Sequence, residues 1–268
     1  MKVVWSALSG SIALGGDALH SLTDVLAYGG AYLAARGARR RPTHAFTYGY
    51  GRGGVLAALG NATLLIVLAV LLAAGAAAAA LGGRDHPAPG AMLAGGAVGL
   101  GAALATGLLL RPGAGASLNR RAAFLHAVSD AASSAGVAVA ALLVWVTGVG
   151  ALDAVAAVVI AAAIAASSWS VLRETVWTLM EGAPPGLRVD RLVEAMTAVE
   201  GVRGLHHVHV WRVDEGVAMS GHVVLAGAAT AAEAQARVEA CARVAAERFG
   251  IGHCTLQAEL GEDDAGPP

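Results

Sequence analysis

Five long apolar blocks constrain this chain more than any other feature. They run roughly over residues 11–35, 53–81, 90–110, 119–147 and 151–172. Each exceeds the ~20 residues that cross a ~30 Å hydrocarbon core as a helix. Backbone groups cannot stay unpaired in lipid, and the blocks do not alternate as barrel strands would, so each reads as a helix. Composition agrees: 56% of the 268 residues are hydrophobic and 14% are charged, against about 25% charged in soluble domains. Abundant Gly and Ala allow close helix–helix approach.

Charge and cysteine usage exclude several classes. Net charge is −1 and no basic run suits nucleic acid. Cys241 and Cys254 lie in the polar tail and make no disulfide framework; Cys241 reads as a small buried hydrophobe on an amphipathic helix. The N-terminal "MKVVWSALSGS" is too short for a cleavable signal and runs straight into the first block.

The loops orient the spans. Arg36, Arg39, Arg40, Arg41 and Arg52 follow the first block, and Arg111, Arg120 and Arg121 follow the third, whereas the alternate loops hold only Arg84. The positive-inside rule places the arginine loops, and the tail after the fifth block, in the cytoplasm. From about Leu187 the texture changes. "VDRLVEAMTAVEG" has helical spacing, "LHHVHVWRV" and "VAMSGHVVLAG" alternate, "TAAEAQARVEACARVAAERFG" is a long helix with Thr230 as N-cap and Gly250 as its stop, and "HCTLQAEL" is a last strand. The order α-β-β-α-β predicts a small α+β domain with its helices on one face of a sheet.

Ionisable residues inside the blocks carry the chemistry. His20 and Asp24 are four apart and share a helix face, with Asp17 one turn earlier. The fourth block repeats the spacing with His126 and Asp130. Charged groups at this depth cost several kcal/mol unless paired, solvated or metal-bound. Two imidazole nitrogens and two carboxylate oxygens suit a four-coordinate divalent ion, above all Zn²⁺. Taken singly, an intramembrane His can be a helix–helix hydrogen bonder and an Asp–His pair a structural ion pair. Two copies on two spans favour metal. Asp17 reads as a residue that holds the ligands in place from behind or that lines the outer approach, and Asp153 as interfacial rather than a ligand.

On "SGSIALGGDALHSLTD", "FTYGYGRGGVLAALGNATLL", "SLNRRAAFLHAVSD", "LRETVWTLMEGAP" and "HVHVW…GHVVL…ERFGIGHCTLQAEL" the chain resembles the cation diffusion facilitators, a family of zinc transporters acting as metal/proton antiporters. The resemblance covers nearly the whole chain in the family's order. It implies a helical membrane bundle of six spans, of which five are readable here, followed by a cytosolic ferredoxin-like domain, in a homodimer. It implies that His20, Asp24, His126 and Asp130 form the transport site. Residues 1–10 match only the last turns of the family's first helix, which would put the N-terminus outside. Residues 11–180 would be the transmembrane domain, 187–260 the cytosolic dimerisation domain and 261–268 a disordered tail. His44 stands alone where some relatives hold a loop metal site, and reads as a solvated loop residue. Relatives also bind metal through positions matching His206, His222 and Glu259, although Gln257 replaces another usual histidine. The alternative for this cluster is polar packing at a dimer surface. Strict alternation would place His207 and His209 on one face and His206 on the other.

The resemblance implies export of cytosolic Zn²⁺ against incoming protons through a lipid bilayer, with Zn²⁺ as transported substrate, a further structural or regulatory Zn²⁺ in the cytosolic cluster, and no organic cofactor. Metal needs neutral His and ionised Asp, so metal and protons compete for the same atoms. The alternatives are a non-transporting metal sensor or partner subunit, and a membrane-embedded metalloenzyme. The last would need an open metal position and a general base, and no H-E-x-x-H signature is present.

Overall fold

The computed structural model describes residues 2–82, 87–111, 118–213, 216–227 and 230–260, the side chains of 118–122 excepted. The readings on Arg84, on the Arg120 and Arg121 side chains and on the 261–268 tail fall outside the described residues. The elements are α1 (Lys2–Ser9), α2 (Ile12–Ala38), α3 (Arg52–Gly82), α4 (Pro89–Leu110), α5 (Leu118–Thr147), α6 (Ala151–Leu179), α7 (Val189–Thr197), β1 (Val202–Val213), β2 (Gly216–Leu225), α8 (Ala231–Phe249) and β3 (His253–Leu260). Two compact units result, one of Met1–Ala31 with Ala58–Leu172, the other of Tyr32–Ala57 with Arg173–Pro268.

In the first unit, α3, α4, α5 from Ala123, and α6 are long and apolar enough to cross a membrane. The 27 residues of α2 are also long enough, but Asp17, His20, Ser21, Thr23 and Asp24 dilute its hydropathy. Small residues set the spacing. A Cβ on Gly96 of α4 would meet the Ala138 backbone of α5 at 3.0 Å, and one on Gly16 of α2 would strike Leu72 of α3 at 2.3 Å. Ala13, Leu14, Met92, Val137 and Ala157 fill the centre, while Leu71, Leu108, Leu109, Val146 and Trp169 point outward. This apolar exterior suits lipid, not water.

The start of α2 is tied to α6. Gly10 turns the chain at φ 67°, and Ser11 Oγ accepts from Leu14 N at 3.1 Å as an N-cap. Asp153, at the start of α6, is 3% exposed. Its carboxylate accepts from Ser11 Oγ (2.6 Å), Ile12 N (2.7 Å) and Ala13 N (3.3 Å). Helix starts leave orphan N–H donors, and here a neighbouring helix satisfies two of them.

In the second unit, the C-terminal segment has the expected α-β-β-α-β order. The sheet order is β1-β2-β3, with β1 antiparallel and β3 parallel to β2. Leu192 and Met196 of α7 and Cys241 and Ala245 of α8 pack over Val210, Met219, Val223 and Leu225. Thr230 and Glu233 form a capping box at the start of α8, and Gly250 ends it at φ 69°. Burial pushes the Cys241 thiol up and the Cys254 thiol up to about 11, so both act as packing groups.

One expectation for β1 is corrected. The strand has register irregularities between Val202 and Gly204 and between His206 and His209. Each inserts one extra residue against β2, a β-bulge. Val202, Leu205, Val208 and Val210 therefore all pack against the core, although strict alternation forbids it. His207 takes φ 50° at the second bulge, so it joins His206 instead of His209.

Candidate metal sites

The membrane site is built from α2 and α5. The two helices run antiparallel through it: His20 faces Asp130, and Asp24 faces His126. His20 Nε2 lies 3.9 Å from Asp24 Oδ2 and 3.8 Å from Asp130 Oδ1. His126 Nε2 lies 3.5 Å from Asp24 Oδ2 and 3.7 Å from Asp130 Oδ2. Each imidazole thus meets both carboxylates. A tetrahedral zinc shell with ligand bonds of ~2.0–2.1 Å has edges of about 3.3 Å, about 0.2–0.6 Å shorter than these spacings. His20, Asp24 and Asp130 are the tighter trio, their ligand atoms all within 4.8 Å of one another. His126 closes on the two carboxylates, with its ring centroid 6.4 Å from that of His20. The Tyr28 and His126 ring centroids lie 6.2 Å apart with the rings nearly perpendicular, at 86°. His20 Nδ1 is buried and makes no hydrogen bond among the described residues.

Asp17 lies one turn along α2 and is 1% exposed. It accepts from Ser133 Oγ at 3.0 Å and Ser134 Oγ at 3.1 Å, and pairs with Lys2 Nζ at 2.8 Å. Lys2 was not among the residues expected to matter. The signal for it is a lone lysine in an apolar helix, which needs a buried partner.

The second cluster lies in the α+β segment, on three adjacent strand positions. His206 pairs with His222 across β1 and β2, and His222 pairs with Gln257 across β2 and β3. Glu259 Oε2 lies 2.8 Å from His206 Nε2, and Oε1 lies 2.7 Å from His222 Nδ1. The latter geometry leaves His222 Nδ1 without a hydrogen bond. His207 Nδ1 shares a hydrogen bond of 2.8 Å with His206 Nδ1. The His206, His207 and His222 rings stand 5.0–5.2 Å apart, and the three offer ligand atoms within 4.8 Å of one another. The His206 hydrogen bond holds the Glu259 carboxyl below its ordinary range. His207 is the residue strand alternation missed. His209 is exposed beyond the bulge, and His44 is exposed in its loop.

A carrier for a cation is the class of protein to which this pairing of apolar helices with two facing, half-buried His–Asp pairs points. Comparison with known proteins agrees. Residues 1–180 match the family model of the cation efflux transmembrane domain, and residues 184–260 that of the cation efflux protein cytoplasmic domain. The zinc transporter ZitB of Escherichia coli (strain K12) is 36% identical over 97% of this chain and 82% of its own length. The cadmium, cobalt and zinc/H(+)-K(+) antiporter of Bacillus subtilis (strain 168) is 29% identical over 97% and 84%. A solved structure of the MamM CTD is 25% identical over 28% of this chain and 92% of that chain, with a TM-score of 0.27.

The chain belongs to the cation efflux family, the cation diffusion facilitators. It is a multi-pass membrane transporter of divalent metal cations with a cytoplasmic C-terminal domain, and it is not an enzyme.

Proposed function

We propose that this protein exports Zn²⁺ from the cytoplasm in exchange for protons, holding the ion with His20, Asp24, His126 and Asp130. The observation that carries the reading is the convergence of four side chains, each imidazole lying 3.5–3.9 Å from an oxygen of both carboxylates. The ZitB relative supports zinc as the ion, and the Bacillus antiporter's name supports exchange for protons. Two nitrogen donors favour zinc over harder ions that prefer all-oxygen shells.

Coupling follows from the ligands. Protons arriving from outside compete for the imidazole nitrogens and carboxylate oxygens that the ion occupies, so loading and protonation exclude each other. Histidine is the group nearest its switching point at neutral pH. In the cytoplasmic domain, His206, His222 and Glu259, with His207 from the bulge, form a second zinc site with a regulatory role. The matched cytoplasmic-domain model supports assembly as a homodimer.

Zinc uptake into vesicles reconstituted with the protein, under an imposed pH gradient, tests the proposal. Asp24→Ala or Asp130→Ala removes one of four ligands with no substitute on its helix, and should abolish uptake while leaving a folded protein. Wild-type uptake by either variant refutes the shared site. Zinc binding without gradient-driven uptake by the wild type would identify a sensor instead.

A further inference from the structure

Five polar side chains beside the proposed ion site carry an arrangement that metal binding does not explain. The Lys2 ammonium donates to Ser21 Oγ and Ser134 Oγ, both at 3.1 Å, and pairs with Asp17 Oδ2 at 2.8 Å. All three of its donors are thereby used. Asp17 accepts from Ser134 on the same oxygen and from Ser133 on the other. Ser133 and Ser134 follow Asp130 by one turn on α5, as Asp17 precedes His20 by one turn on α2. The layer therefore joins α1, α2 and α5 directly beside the layer that holds the four ligands.

The fourth wall of this chamber is a glycine. A Cβ on Gly99 of α4 would stand 2.6 Å from Lys2 Cε and 2.8 Å from Ser134 Oγ. A side chain at this position would make the lysine or Ser134 shift from its present place beside α4. A buried ion pair is weak support for stability, because desolvation offsets its attraction. Its better-attested use is to fix register: a charged hydrogen bond tolerates one geometry where apolar contacts tolerate many.

We propose that Lys2 is a positioning residue for ion binding. Through Asp17, Ser133 and Ser134 it sets the separation and register of α2 against α5, and so brings His20–Asp24 and His126–Asp130 within reach of one ion. It also neutralises Asp17, which would otherwise present a free carboxylate to the same cation one turn away. The inference rests on the transport-site reading given above.

The test uses the full-length protein in vesicles, reading half-saturation and maximal rate for Zn²⁺ uptake, with Zn²⁺ titration of the detergent-purified protein beside it. Lys2→Met should weaken zinc binding about 10- to 100-fold, the range for residues that orient metal ligands. The pair Lys2→Met with Asp17→Asn removes both charges, while the amide oxygen can still accept from one serine and the amide NH2 donate to the other, so it should recover most of that loss. Wild-type affinity in Lys2→Met overturns the proposal, as does a double variant no better than the worse single one. Should Lys2→Met fail to fold, Gly99→Ala reads the same layer with both charges in place. It should weaken zinc binding by displacing the lysine, and unchanged affinity there overturns the proposal. His126→Ala, run in parallel, separates the two readings. Its export at the wild-type rate would sink the transport site itself. Loss of export in His126→Ala with unaltered affinity in the Lys2 and Gly99 variants would sink only the positioning role.

Discussion

His126 Nε2 on α5 stands 3.5 Å from Asp24 Oδ2 on α2, closer than either residue stands to the ligand on its own helix. The shortest of these contacts crosses between helices. Each helix alone offers one imidazole and one carboxylate, and the four groups come together only where the two helices meet.

His20 should govern which metal is carried. Replacing it by Asp exchanges a nitrogen donor for a harder oxygen, which shifts preference away from zinc. Competition uptake with His20→Asp should show relatively more Mn²⁺ or Cd²⁺ carried against Zn²⁺. An unchanged preference would mean that His20 does not touch the ion.

Gly96 should tolerate no larger residue. Its missing Cβ faces the Ala138 backbone at 3.0–3.2 Å, and backbone cannot swing aside as a side chain can. Gly96→Val should force α4 from α5, costing about 1–3 kcal/mol as overpacking does and lowering both thermal stability and uptake. Gly101 on the same helix has nothing within 4 Å of its would-be Cβ. Gly101→Ala should therefore be neutral or slightly stabilising. Equal behaviour of the two variants in thermal unfolding would contradict the packing argument.

Asp153→Ala should loosen the start of α2. It strips the acceptor from Ser11 Oγ and from two backbone N–H groups in a buried setting, at about 1–3 kcal/mol for groups left unpaired. The expected readout is a lower unfolding midpoint in detergent with zinc affinity less affected. A midpoint equal to the wild type's would show that other acceptors replace the carboxylate.

Glu259 gives an acid-side prediction. The His206 hydrogen bond lowers its folded pKa below the ordinary 4.5. A depressed carboxyl contributes stability above its unfolded pKa, and loses it as pH falls through the folded value. With zinc chelated, the wild type's stability advantage over Glu259→Gln should be present at pH 6 and shrink once pH drops below about 4.5. A difference that stays constant down the acid range would mean that the pairing with His206 does not form.

Much of this was readable from residue spacing, because helical periodicity is local. His20 with Asp24, and His126 with Asp130, share faces by the 3.6-residue repeat alone, and two such pairs in apolar blocks point to each other. Thr230 and Gly250 bounded α8 for the same local reason. What spacing could not supply depends on partners distant in sequence. Lys2 meets Asp17 where Gly99 of α4 leaves it room. Asp153 caps α2 across the bundle, a relation between residues 142 apart. His207 joined the wrong face in the sequence reading because its φ of 50° follows from pairing with β2, not from its neighbours in the chain.

The two irregularities of β1 make it matter where the strand gains or loses a residue. Between Val202 and Val210 the chain keeps one side on the core while it twice counts an extra residue against β2. Losing the extra residue at the first irregularity would leave Val202 and Leu205 opposite Leu225 and Val223 as now, two positions apart and both still on the core side. A one-residue deletion at either bulge should thus be absorbed by the sheet, whereas an added residue in the straight run from Gly204 to His206 would push Leu205 off the core side.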